Sequence, residues 1–271
     1  MTIKSKALIR DTHESGIQQG IRDIHVVVTG GARGIGAAIA EHLDTLGARL
    51  TLMGRQLTPL EKKCAGLRQA EAVAVNVTQE TAVTEAFAKA REKFGPIGIL
   101  INNAGAADSA LLERMSLKNW QGMLDVNLTS VFLCSRAVLP DMRAQKWGRI
   151  INVSSTAGLK GYPYVTGYCA AKHGVVGLTR ALALETARTG ITVNAVCPGY
   201  TNTELLDGAL AKIMDKTGMN RAAAEKQLQA ANPQQRFIEP AEVATTVAWL
   251  CLPGSESITG QSIAIAGGEV M

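Results

Sequence analysis

The sequence predicts an α/β fold, a single-domain doubly wound (Rossmann) parallel sheet of about seven strands with helices on both faces. Three observations predict it. Short apolar runs rich in β-branched residues alternate with amphipathic helical stretches along most of the chain, which implies parallel pairing through right-handed crossovers. The first of these runs leads directly into a glycine-rich turn that opens a helix. A chain of 271 residues with 46% apolar content is also long enough to bury a large core as one domain.

The elements follow in order. Residues 24–29, Ile-His-Val-Val-Val-Thr, suit a strand buried on both faces. Gly30, Gly31, Gly34 and Gly36 then lead into a helix that carries Ile39, Ala40, Leu43 and Leu46 at spacings of three and four. Such a turn lets backbone approach a phosphate, and the helix behind it offers free N–H groups and the positive end of its dipole. Further strands are expected at 49–53, 72–77, 98–101, 149–153, 192–196 and Ser262–Ile265, with helices at 59–69, 81–94, 117–143 and 168–188. Ligands in such sheets sit beyond the carboxyl ends of the strands, where Gly30, Asn102, Ser155 and Pro198 fall.

Composition narrows the function classes. The net charge of +5 is spread among acidic residues rather than gathered into a block, which reads as a solvated surface and not a nucleic-acid footprint. The five cysteines are far apart with no C-x-x-C pair, so neither a disulfide frame nor a metal site is expected, and a reducing compartment is. Residues 1–23 are charged, lack a signal-peptide core and read as an extension before the first strand. No apolar run reaches the ~18 residues of a membrane helix, so the expectation is a cytoplasmic protein without a membrane partner.

Tyr168 and Lys172 stand four apart on one predicted helix, hence on one face. A phenol near pKa ~10 is a poor acid or base at neutral pH, and a neighbouring ammonium that favours the phenolate moves it toward use.

Together these motifs resemble the short-chain dehydrogenase/reductase family over essentially residues 24–268. Thr29, Gly30, Gly34 and Gly36 match its T-G-x-x-x-G-x-G turn, Asn102 to Gly105 its N-N-A-G, and Tyr168 with Lys172 its Y-x-x-x-K. The family's active-site serine lies thirteen residues before that tyrosine, which selects Ser155, and its asparagine looks like Asn127. Pro198, Gly199 and Thr203 match the segment flanking the nicotinamide.

The resemblance implies an NAD(P)-dependent oxidoreductase that exchanges hydride with a ketone or secondary alcohol. Tyr168 would move the proton, Ser155 would bind the reacting oxygen, and Lys172 would prime the phenol and hold the nicotinamide ribose. Asn127 would keep a water in a relay to the lysine while also relaxing a helical turn. Residues 24–271 would then be the dinucleotide-binding and catalytic domain, with a lid insertion at about 201–233. The cofactor would lie along Gly30, Arg33, Gly34, Ile35, Gly36, Asn76, Val77, Asn103, Ala104 and Gly105. Where an acid would bind the NAD ribose, the chain has Gly54 followed by Arg55, and Arg33 lies close by. Both arginines favour NADP, with NAD still open. Asn76 stands where the family usually has an acid, and its carbonyl is expected to accept the adenine amino group.

On the substrate side Tyr162 and Tyr164 would flank the ligand, with Leu205 and Leu206 on a lid helix that also carries Lys212, Lys216, Arg221 and Lys226. These cations would meet coenzyme A phosphates or a carrier protein, or simply face water. The stretch 172–198 looks like the ketoreductase branch, which implies a 3-oxoacyl or 3-hydroxyacyl thioester or related ketone. Two rivals stay open: an NAD-dependent dehydrogenase of a cyclic or aromatic alcohol, and a non-catalytic cofactor sensor. Apolar residues on more than one face of the Tyr168 helix, among them Val175, Leu178, Ala181 and Leu184, predict packing on the sheet and against a second subunit, and the family resemblance implies a homotetramer.

Overall fold

A computed structural model describes residues 20–271. The expected extension is thus outside the described residues up to residue 19. Residues 20–23 form a turn whose Ile21 is fully buried in the core.

Seven parallel strands, β1 (His25–Thr29), β2 (Arg49–Gly54), β3 (Ala70–Ala74), β4 (Ile99–Asn102), β5 (Gly148–Val153), β6 (Ile191–Pro198) and β7 (Ser262–Ile265), form one sheet in the order β3-β2-β1-β4-β5-β6-β7. The order reverses between β1 and β4, and the crevice above that point is where such sheets bind ligands. Side chains alternate across the sheet as the strand period requires. Val26 and Val28 face α1 (Gly34–Thr45) and α9 (Pro240–Cys251), while Val27, Leu100 and Ile150 face α3 (Glu80–Phe94), α5 (Ser130–Gln145) and α6 (Thr166–Thr186). The remaining helices are α2 (Leu57–Cys64), α4 (Leu117–Leu124), α7 (Glu204–Thr217) and α8 (Arg221–Gln229). Each fully buried Val, Leu, Ile or Phe contributes roughly 1.5–3 kcal/mol to holding these layers together.

The structure departs from expectation in several places. β3 ends at Ala74 rather than Val77, because its register pairs Ala74 with Gly54, the last residue of β2. The helix expected over 117–143 is two helices joined by a π-helical turn at Asp125–Thr129. That turn is held open by Asn127, whose Nδ2 donates to the Met123 carbonyl at 3.0 Å, competing with the helical ladder. The combined stretch Leu117–Gln145 is, among the described residues, long and on average apolar enough to cross a membrane, although no unbroken apolar run within it reaches that length. One side of it, Leu133, Val138 and Met142, is core against the sheet, and Arg136 and Asp141 pair with Glu80 and Arg91. Finally, α9 was not anticipated. Pro240 opens it, and Glu242 accepts from the Glu239 N–H at 2.8 Å, a capping signal that the sequence carries plainly.

Candidate active site

The glycine turn is built by close approach. A Cβ at Gly36 would stand 2.2 Å from the Gly30 carbonyl oxygen, and Gly30 itself has φ 67°, so a side chain at either position displaces backbone. The turn is stapled to the residues after β4. Thr29 Oγ1 accepts from the N–H groups of Asn103 and Ala104, each at 3.0 Å, and Asn103 Nδ2 donates to the carbonyls of Thr29 at 2.9 Å and Gly30 at 3.1 Å. The Asn103 side chain therefore shapes the turn. No side chain caps α1, so the N–H groups of its first residues Gly34, Ile35 and Gly36, which have no intrahelical acceptor, are left for a ligand. This backbone cradle fits a dinucleotide phosphate.

Arg55 is exposed just past β2. An acid would have room at Gly54, where an added Cβ meets only Leu60 side-chain carbons at 3.6 Å or more, yet none is present. Arg33 is exposed as well and pairs with Glu204 at the start of α7. Asn76 differs from expectation: its Oδ1 accepts from Thr78 N at 3.2 Å and Thr78 Oγ1 at 2.9 Å. Both lone pairs serve this local turn, which leaves the Nδ2 donor rather than the carbonyl for a base. Val77 is core, so only its backbone faces outward.

Four groups converge beyond β5. Ser155 follows β5, its Oγ accepting from Ala157 N at 3.1 Å. Tyr168 and Lys172 rise from the first two turns of α6 on one face, with the Lys172 Nζ 5.6 Å from the Tyr168 ring centroid. Lys172 is 4% exposed, and its ammonium donates to the Val153 carbonyl at 2.8 Å. Asn127 is fully buried and clamps the chain after β4, donating to Ala106 O at 2.8 Å and accepting from Ala106 N at 3.2 Å.

The electrostatics differ from the simple lysine-primed picture. Burial raises the Tyr168 phenol to about 12, with the Ser155 hydroxyl opposing it. Burial also lowers Lys172 to about 8. Desolvation dominates both shifts, and at the phenol it is the Ser155 hydroxyl that opposes it, so the phenol stays a proton donor at neutral pH.

A cavity of ≈ 200 Å³ joins these groups to the lid, and Ser155, Tyr162, Tyr168, Leu205 and Leu206 all line it, as do Pro198, Gly199 and Thr203. Tyr164 does not: it is 59% exposed with φ 68°, its carbonyl accepting from Ala110 N at 2.8 Å. The loop turns there, and the ring is aimed outward. The lid cations are partly spent as well. Lys212 pairs with Asp108 at 2.6 Å, and Arg221 with Asp207 and Glu225 at 2.8 and 2.7 Å. The lid's apolar stripe packs mainly on α8 through Leu206, Leu210 and Ala224. Ser154 and His173 are structural neighbours, bonding to the Lys172 and Cys169 carbonyls. Sequence reasoning overlooked Thr156 and Tyr200 on the cavity wall, and Glu269 behind it. The one signal for Glu269 was an acid alone in an apolar stretch.

The model of the short chain dehydrogenase family matches residues 24–237. The 3-oxoacyl-[acyl-carrier-protein] reductase of Synechocystis sp. is 39% identical over 251 residues, covering 90% of this chain and 96% of that protein. A crystal structure of a variant actinorhodin polyketide ketoreductase with NADPH is similar with TM-score 0.87 at 35% identity, over 91% of this chain and 97% of that one. Levodione reductase is similar with TM-score 0.87 at 32% identity, over 92% and 98%.

Proposed function

The chain belongs to the short chain dehydrogenase family, and on that premise we propose that it is an NADPH-dependent ketoreductase acting on a 3-oxoacyl thioester of coenzyme A or a carrier protein, or a related ketone. The observation that carries this reading is a half-buried Tyr168 sharing one largely apolar cavity with Ser155, beside an uncapped glycine turn.

The reduced nicotinamide, when bound, supplies hydride to the carbonyl carbon. Gly30, Gly34, Ile35 and Gly36 would hold its phosphates, Arg33 and Arg55 the 2′-phosphate, and Pro198, Gly199 and Thr203 the nicotinamide end. Tyr168 donates its proton to the carbonyl oxygen, and Ser155 hydrogen-bonds that oxygen as charge develops. The Lys172 ammonium then stabilises the phenolate left behind. Asn127 holds the β4 loop, and its Oδ1 can carry a water toward Lys172. Gly105 keeps that path open, since a Cβ there would stand 2.8 Å from Oδ1 and 3.7 Å from Nζ. The relatives named for 3-oxoacyl carrier-protein and polyketide ketone reduction support the substrate class.

The same reading takes residues 1–23 as an extension, 24–271 as one domain with a lid at about 201–233, and the protein as a cytoplasmic homotetramer. Support for assembly comes from exposed apolar side chains on helical surfaces, Leu184 at 80% and Leu117 at 79%. Analytical ultracentrifugation tests it. The activity is tested by following the reduced nicotinamide band with acetoacetyl-CoA and a panel of ketones. Oxidation of NADPH is expected, and binding without turnover of any ketone would replace the reading with that of a cofactor sensor.

A further inference from the structure

Glu269 lies just past β7, and its side chain is 1% exposed. Its Oε1 takes a hydrogen bond from the Tyr162 phenol and an ion pair from Lys160 Nζ at 3.0 Å. Lys160 Nζ in turn stands 4.9 Å from the centre of the Tyr162 ring, so the ammonium bridges ring and carboxylate. The phenol has one proton and two acceptors in reach, Glu269 Oε1 and Thr156 Oγ1, the latter at 2.7 Å. The anion is the stronger acceptor, and Thr156 can turn its own proton to the phenol oxygen.

Two walls of the cavity depend on this cluster. Tyr162 lines the cavity and meets Tyr200, another lining residue, edge to face at 6.4 Å and 79°. A Cβ at Gly199 would lie 3.1 Å from Glu269 Oε2, so the carboxylate also backs the segment between Pro198 and Tyr200. Burial and the Glu269 hydrogen bond together push the Tyr162 phenol far above its ordinary range, which keeps it a donor at any working pH. Glu269 itself does not line the cavity.

We propose that Glu269 is a positioning residue that sets acyl-group specificity: by fixing Tyr162 against Tyr200 and backing Gly199, it fixes the part of the cavity wall these residues form and hence the width of ketone accepted. The inference rests on the ketoreductase reading and deepens it. Removing the carboxylate frees a ring to swing, which loosens the hold on a narrow substrate and admits a wide one. The proton donor and the glycine turn stay as they are.

The test compares wild type with Glu269→Ala, Glu269→Gln, Tyr162→Phe and the Tyr162→Phe/Glu269→Ala double variant. Acetoacetyl-CoA serves as the narrow substrate and a fused bicyclic ketone as the wide one. Glu269→Ala is expected to raise KM for acetoacetyl-CoA about tenfold, the effect of one lost charge-assisted hydrogen bond. Its kcat should stay within about twofold and the Kd for NADPH, from protein fluorescence quenching, should not move. The ratio of kcat/KM, wide over narrow, should rise, and the double variant should lose no more than either single one. Glu269→Gln keeps an acceptor and should restore most of the loss. Unchanged selectivity, additive losses, or a fall in kcat, NADPH affinity and Tm together would each overturn the inference.

A second measurement does not require turnover. In a spectrophotometric titration of tyrosinate, Glu269→Ala should bring one tyrosine into the alkaline range earlier than in wild type. A titration unchanged by the substitution overturns the inference even if turnover is normal. Absence of turnover by the wild-type enzyme overturns the ketoreductase reading, and with it the specificity claim.

Discussion

Lys172 stands beside Tyr168 on one face of α6, yet its ammonium is bonded to the Val153 carbonyl at 2.8 Å rather than to the phenol. The lysine is thereby fixed to the end of β5, and the tyrosine is held by the same helix over the cavity. Burial sets both groups: the phenol is raised to about 12 and the ammonium lowered to about 8.

These two shifts predict stability limbs of opposite sign. Between about 8 and 10.5 the unfolded lysine keeps a proton that the folded one has shed, so stability rises with pH there. Between 10.0 and about 12 the unfolded tyrosine sheds a proton that the folded one keeps, so stability falls. Lys172→Met should abolish the rising limb. It should be more stable than wild type at pH 7, where desolvation penalises the buried ammonium. Denaturant titrations across pH check this; a variant less stable than wild type at pH 7 would contradict it.

The same lysine sets the pH dependence of reduction. Tyr168 stays protonated across the neutral range, so kcat should fall as pH rises through about 8, where Lys172 loses its charge. A pH profile of kcat with saturating NADPH measures it, and a fall first seen well above that value would contradict the assignment.

Gly105→Ala inserts a carbon 2.8 Å from Asn127 Oδ1. The Asn127 clamp on Ala106 must then shift, at an expected cost of about 1–3 kcal/mol from the strained buried hydrogen bonds. Activity should fall further than Tm explains, because the gap between Asn127 and Lys172 is also filled. Thermal melts alongside single-turnover rates separate the two effects.

Arg55→Asp replaces the exposed cation after β2 by an anion. The KM for NADPH should rise by about 10–100-fold while that for NADH holds or improves, the effect expected of one arginine–phosphate contact. Steady-state kinetics with both cofactors test it; an unchanged ratio would place the 2′-phosphate elsewhere.

Much of this site was legible because strands buried on both faces, glycines at close approach and an i, i+4 pair each leave a local signature. What escaped depends on partners distant in sequence. β3 stops where Gly54 of β2 stops, which no property of residues 75–77 discloses. Asn127 relaxes a helical turn as expected, but its partner Ala106, twenty-one residues earlier, which offers it both a donor and an acceptor, has no signal in the sequence. Asn76 spends its carbonyl on Thr78, Tyr164 turns outward at a positive φ, and the lid cations meet Asp108 and Asp207. The capping residues Glu239, Pro240 and Glu242 were readable in the sequence, and α9 could have been placed from them.

The most direct measurement is the rate of NADPH oxidation by Tyr168→Phe with acetoacetyl-CoA, alongside NADPH binding to the same protein. Loss of the phenolic proton should lower kcat by roughly 10²–10⁴-fold, the range for a positioned general acid, with NADPH affinity within about twofold of wild type. Turnover near the wild-type rate would contradict the assignment of Tyr168 as the proton donor.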